Sequence, residues 1–175
     1  MTRFSELAIT RRSVRQYADE PLSSAEVEQI LRSALVSPSS KNSRSWEFVL
    51  IEDKAMLKQL SLCKPSGSAF LENCALAVVV LTDILQSEAY IEDSSIAATY
   101  IQLQAEDLGL GSCWIQIHGR ETADGSDSEQ YVRHLLGIPL HLFVGCIIAI
   151  GHKMKEGKPH DEEKLPWEKL HIEKY

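Results

Sequence analysis

The sequence predicts an α+β fold, and three observations carry that expectation. Ala75–Leu81 is continuously apolar with three consecutive valines, the pattern of a strand buried on both faces, and Phe143–Ile150 is a second such run. From about Asp93 to Leu108 extends the longest stretch of helical apolar spacing, closed by Gly109. Helical and strand patterns interleave along the chain with no period of internal repetition.

Taken in order, Phe4, Leu7 and Ala8 have helical spacing, and the short helix they imply ends just before Arg11. Ser23-Ser24-Ala25-Glu26 is a capping box that opens a helix whose Val27, Ile30, Leu31 and Leu35 share a face, and Pro38 stops it. Trp46–Ile51 is β-rich in composition and alternates loosely, so a strand is expected. Asp53 caps a helix carrying Met56, Leu57 and Leu60, and Lys64-Pro65-Ser66-Gly67-Ser68 is a loop by composition. The long helix turns Ile96, Ala97, Tyr100, Ile101 and Leu108 inward, which makes it the central core helix. Ser112–Ile117 is a strand, and Ser128–Leu136 a helix stopped by Gly137 and Pro139. The segment His152–Tyr175 is polar yet carries Leu165, Trp167, Leu170 and Ile172. A disordered tail rarely bears so many large apolar groups. An arm that packs on its own core or on a second subunit is expected, and an intertwined homodimer is a good candidate.

At 175 residues, with 44% hydrophobic and 25% charged side chains, the chain suits one globular domain spanning 1–175. Its formal charge of -7 argues against a nucleic-acid partner, whose phosphates need a basic face. Ala75–Leu81 is too short to cross a bilayer, and the N-terminus lacks the apolar core of a signal peptide, so no membrane association and a cytoplasmic location are expected. Cys63, Cys74, Cys113 and Cys146 lie far apart with no C-x-x-C pair, and read as buried reduced thiols.

Against that acidic background Arg11-Arg12-Ser13-Val14-Arg15 stands out: three guanidinium groups and a hydroxyl within five residues. Such forks match phosphate oxygens bidentately, where lysine offers a point charge. A second polar cluster, Pro38-Ser39-Ser40-Lys41-Asn42, follows one helix later. Together they suggest a phosphate-bearing cofactor held at its tail by arginines and along its body by small polar groups. Pairing of the arginines with Asp19 and Glu20 on the surface, and a turn role for the serines and Asn42, are the plainer readings. Gly109-Leu110-Gly111-Ser112-Cys113-Trp114 begins like a dinucleotide fingerprint, but Trp114 fills the third glycine position and the segment follows a helix. The histidines show no metal-binding spacing, and no G-x-S-x-G elbow is present. His118, just past a strand, stands either as a surface histidine or as a cofactor or substrate contact. A site with no evident protein acid, base or nucleophile suits chemistry carried by a bound cofactor.

Arg11–Arg15, Pro38–Trp46, Leu108–Ile115, Ala149-Ile150-Gly151-His152 and the arm Lys164–His171, in that order and spacing, resemble the nitroreductase family of FMN-dependent oxidoreductases. The resemblance implies a three-layer α/β/α fold with a mostly antiparallel sheet, and a homodimer whose C-terminal arms are exchanged and whose FMN sites lie in the interface. It implies that Arg11, Ser13 and Arg15 hold the FMN phosphate and ribityl chain with help from Arg12, and that Lys164 adds a further cation. Pro38, Ser39, Ser40 and Asn42 match the segment presented to the flavin from the other subunit. Trp114, Ile115, Gln116 and Ile117 match the strand end along the isoalloxazine, with a backbone amide near Gln116 facing N5. Electrons would pass from NADH or NADPH through FMN to a small oxidised acceptor. The family commonly has Gln-Pro where this chain has Arg44-Ser45, so the turn here lacks a rigid proline. A flavin-binding or flavin-processing protein without NAD(P)H turnover, and a binder of some other phosphorylated ligand, are the alternatives.

Overall fold

The two apolar runs become neighbours in the middle of a sheet. In the computed structural model, which describes residues 3–175, β2 (Leu76–Asp83) and β4 (Leu142–His152) pair side by side. They are flanked by β1 (Trp46–Ile51) and β3 (Leu110–Gln116), giving the order β1-β2-β4-β3 with every ladder antiparallel. Successive side chains alternate between faces: Ala77, Val79 and Leu81 enter one core cluster, Leu76, Val78 and Val80 the other. Both faces therefore need a helical cover, and burying each valine or leucine fully is worth about 1.5–3 kcal/mol.

On one face α3 (Lys54–Leu60) contributes Leu57 and Leu60, and α5 (Ser128–Leu136) contributes Val132. On the other lie α2 (Ser24–Leu35), with Ile30 and Ala34, and α4 (Tyr90–Asp107), with Ala97, Ala98, Ile101 and Ala105. The result is the expected α/β/α sandwich. α1 (Phe4–Thr10) is a peripheral helix with no buried residue. The predicted caps hold: the Glu26 carboxylate accepts from Ser23 Oγ and from Ser23 N, each at 2.7 Å, and those two bonds hold it below the usual carboxylate range, while Ser23 Oγ accepts from Glu26 N. Asp53 Oδ1 accepts from Met56 N at 2.8 Å.

Two helical faces differ from expectation. Tyr100 and Leu35 are exposed, at 38% and 55%. Small residues, Ala97, Ala98 and Ala105, form the stripe of α4 that meets the sheet, so its buried face is rotated away from the bulky Tyr100. α4 also begins three residues earlier than its apolar spacing suggests, at Tyr90 after Ala89, a start that no capping side chain marks.

A bulge in β4 shapes one end of the sheet. Val80 pairs with Cys146 and Leu81 with Val144, so Gly145 has no partner of its own in the ladder. Its carbonyl accepts from both Ile117 N and His118 N at 3.3 Å, which anchors the chain leaving β3. The cysteines are all buried and unpaired; burial pushes the Cys74 thiol up to about 12 and raises Cys63, Cys113 and Cys146 as well. Among the described residues no helix is long and apolar enough to cross a membrane. Past β4 the chain passes α1, where His160 N donates to Ile9 O at 2.9 Å, and then extends as an arm on which Trp167, Leu170 and Ile172 stay 65–89% exposed.

Candidate functional site

The arginine segment is strapped to the outer edge of β3. Ser13 bridges Ser112 in parallel, and Val14 N donates to Ser112 O at 2.9 Å. Four residues on, Tyr17 bridges Lys153 and Ala18 N donates to His152 O at 2.9 Å. Two glycines make this close approach possible. A Cβ on Gly111 would come within 2.7 Å of Val14 Cγ1, and one on Gly151 within 2.9 Å of Tyr17 Cδ1. The Tyr17 ring fills that space, its hydroxyl donating to Val14 O at 2.6 Å, and burial drives its pKa upward. Beneath the strap, Lys153 Nζ and Glu106 Oε1 form an enclosed ion pair at 3.2 Å. Val14 and Tyr17 therefore point inward as anchors, leaving Ser13 and Arg15 exposed and Arg11 and Arg12 half-buried.

Beside the strap lies an open cleft of about 790 Å³, lined by Arg15, Lys64, Trp114, Gln116 and Arg120, with Glu121 and Asp127 among its walls. Among the described residues, Arg11, Arg15, Lys64 and Arg120 make no ion pair. Arg15 Cζ lies 5.9 Å from the centroid of the Phe70 ring. Burial lowers the pKa of Lys64, and the nearby Arg120 charge acts in the same direction. The cleft thus sets three cations that make no ion pair among the described residues, Arg15, Lys64 and Arg120, against two carboxylates, a lining of net positive charge that suits an anion such as a phosphate. Among the described residues no cluster of histidine, cysteine or carboxylate groups is placed to hold a metal ion.

The strand end supplies the opposite wall. Ile115 and Ile117 are fully buried, so only their backbone can serve a ligand. Trp114 Nε1 donates to Gln116 Oε1, and Gln116 Nε2 to His118 O, each at 3.0 Å, which ties down the half-buried indole and amide. In an antiparallel ladder the backbone groups of alternate residues face alternate sides. Ser112 turns its carbonyl outward to the strap, and by that alternation the amide N–H groups of Trp114 and Gln116 also face the open edge. His118 is exposed at the end of the same strand, its Nδ1 3.9 Å from Glu129 Oε2 and its ring 4.9 Å from that of Phe143.

The second polar cluster is not brought to this cleft. Pro38, Ser39, Ser40 and Asn42 precede β1, at the opposite edge of the sheet from β3. Lys41, Asn42 and Arg44 all adopt positive φ, between 52° and 53°. Such conformations cost about 1–2 kcal/mol for a residue such as Lys41 or Arg44 and less for Asn42, whose side chain tolerates them. Ser40 N donates to Asp93 Oδ1 at 2.7 Å, and Ser45, in place of a proline, donates through Oγ to Asp93 Oδ2 at 3.3 Å. Lys164 lies on the exposed arm, paired with Asp161 at 2.8 Å. Arg12 Nη1 donates to Lys158 O at 2.7 Å. The cations Lys64 and Arg120 escaped the sequence reading because both stand in loops, where neither periodicity nor a motif marks a side chain as facing a cleft; the only signal was the charge beside the Pro65-Ser66-Gly67 turn.

Comparison with known proteins bears on the family and the fold. The family model described as the nitroreductase family matches residues 8–64 and 63–152. A chain from Archaeoglobus fulgidus, bearing an NADH dehydrogenase/NAD(P)H nitroreductase name, is 31% identical over 97% of this chain and 97% of its own. An FMN reductase [NAD(P)H] from Bacillus subtilis is 24% identical over 94% of this chain and 76% of its own. Among solved structures, an FMN-dependent nitroreductase from Clostridium difficile R20291 superposes with a TM-score of 0.94 and 42% identity, covering 97% of this chain and 98% of the other.

Proposed function

This chain belongs to the nitroreductase family, and from that premise we propose that it is an FMN-dependent NAD(P)H oxidoreductase acting as a homodimer. The observation that carries the reading is the strap: an arginine-rich segment fixed along the edge of β3, which sets the guanidinium of Arg15, free of any ion pair among the described residues, in the lining of an open cleft of about 790 Å³. Arg11, Ser13 and Arg15, with Arg12, hold the FMN phosphate and ribityl chain; Lys64 and Arg120 add cationic character to the same cleft. The outward amide of Gln116 and the indole of Trp114 flank the ring. A cation of this cleft would also favour negative charge on the bound flavin, since preorganised charge needs no rearrangement during turnover.

When bound, FMN supplies hydride chemistry in ping-pong order, between NADH or NADPH and a small oxidised acceptor such as a nitroaromatic or a quinone. The protein's task is to bind, orient and limit access. The partner's copy of Pro38–Asn42 completes the site, which fits their distance from the cleft within one chain. An exchanged arm accounts for the exposure of Trp167, Leu170 and Ile172 and carries Lys164 toward the phosphate. Residues 1–175 act as one FMN-binding domain, and four unpaired thiols suit a reducing compartment such as the cytoplasm.

The purified protein, supplemented with FMN, is expected to be yellow and to bleach on addition of NADH or NADPH under anaerobic conditions. Failure to take up FMN overturns the reading. A yellow protein that neither nicotinamide bleaches would instead be a flavin binder without turnover.

A further inference from the structure

Resting on the flavin reading above, we infer that Asp93 is the positioning residue that locks the Ser39–Arg44 turn in its left-handed conformation and thereby sets how tightly flavin is held. Three non-glycine residues at positive φ within four positions do not persist unless their surroundings over-determine them. The local sequence supplies only part of that constraint: Asn42 tolerates the left-handed region, but the segment contains neither glycine nor, after Pro38, a proline. The rest comes from across the fold. The Asp93 carboxylate is 1% exposed and accepts three hydrogen bonds: Ser40 N at 2.7 Å, Ser45 Oγ at 3.3 Å and Ser87 Oγ at 2.6 Å.

The first two donors bracket the turn, one at each end. Within it, Arg44 N donates to Ser39 Oγ at 2.8 Å and Asn42 N to Ser39 O at 3.0 Å, which closes the loop between those fixed points. The third donor, Ser87, ties the carboxylate to the connection before α4. Asp93 itself lies in the first turn of α4. One buried carboxylate thus joins the core helix to the segment holding Ser39, Ser40 and Asn42. It touches no ligand itself; it acts through the turn.

Two measurements test this. In limited digestion of the apoprotein with trypsin, Asp93→Asn should speed cleavage after Lys41 and Arg44 by tenfold or more, with Arg32 and Lys58 unchanged as internal references. Ser45→Ala, which keeps the carboxylate and its other two donors, should give the same selective opening to a smaller degree, and decides the matter should Asp93→Asn fail to fold. Unchanged protection of the turn, or uniform acceleration at all sites, overturns the assignment. In FMN titrations, Asp93→Asn should weaken binding about tenfold in wild-type background but less than twofold when Asn42 is already alanine. Additive losses would mean that Asp93 acts through overall stability, and would likewise overturn it. A wild-type protein that binds no FMN would sink the functional reading alone, leaving the digest to decide whether Asp93 holds the turn.

Discussion

A guanidinium already paired with a carboxylate has little left to give an anion, which makes the unpaired state of Arg11 and Arg15 the informative fact about them. A hydrogen bond to a charged group is worth about 1.5–3 kcal/mol, so Arg11→Ala with Arg15→Ala should raise the Kd for FMN by about a hundredfold or more while the fold survives; equilibrium dialysis of the double variant measures this. Lys64 adds a pH dependence of known sign. Burial lowers its pKa from 10.5, so it loses its charge earlier than a free lysine as pH rises, and anion affinity should decline through that range. Arginine does not titrate there, so Lys64→Arg should carry affinity to higher pH, as flavin titrations across the alkaline range would reveal. For stability the sign is opposite to that of a salt-bridged lysine: the penalty for charging Lys64 is present at neutral pH and fades as pH climbs towards 10.5. At this scale the arginines were legible because their density is abnormal in an acidic chain. Asp93 and Lys64 were not, since nothing in their neighbours along the sequence states what they face.

At the scale of elements, β1 and α5 were legible to the residue and the two central strands nearly so, because continuous apolar runs and capping side chains are local signals. The inward face of α4 was misread where alanines, weak in any hydrophobic count, take the sheet side from Tyr100. The strap was invisible: a strand edge covered by a short parallel bridge leaves no periodicity. Its sequence trace is Gly111, which reads as a failed nucleotide fingerprint until the structure reveals Val14 packed where its side chain would be. Gly111→Ala should therefore cost about 1–3 kcal/mol in chemical denaturation through overpacking. It should also weaken flavin binding, because the only relief is for the strap to lift from β3.

For the molecule as a whole, the arm is the part whose sequence and single-chain structure disagree most. The exposed Trp167, Leu170 and Ile172 are the apolar surface that the proposed dimer would cover. Removing residues 162–175 should lower dimer affinity and flavin retention together, with light scattering and absorbance read on the same samples. A monomer that keeps its flavin would contradict arm exchange.

Every sulfhydryl of this protein is sealed inside the sandwich, and none is bonded to another. A catalyst that handles reducing equivalents near oxygen releases peroxide, and sulfur is ordinarily its first casualty. Oxidation of the thiols must wait until the chain opens, so their loss under oxidants should follow the opening rate and ignore the number of turnovers, whereas the thioether of the exposed Met154 has no such shelter.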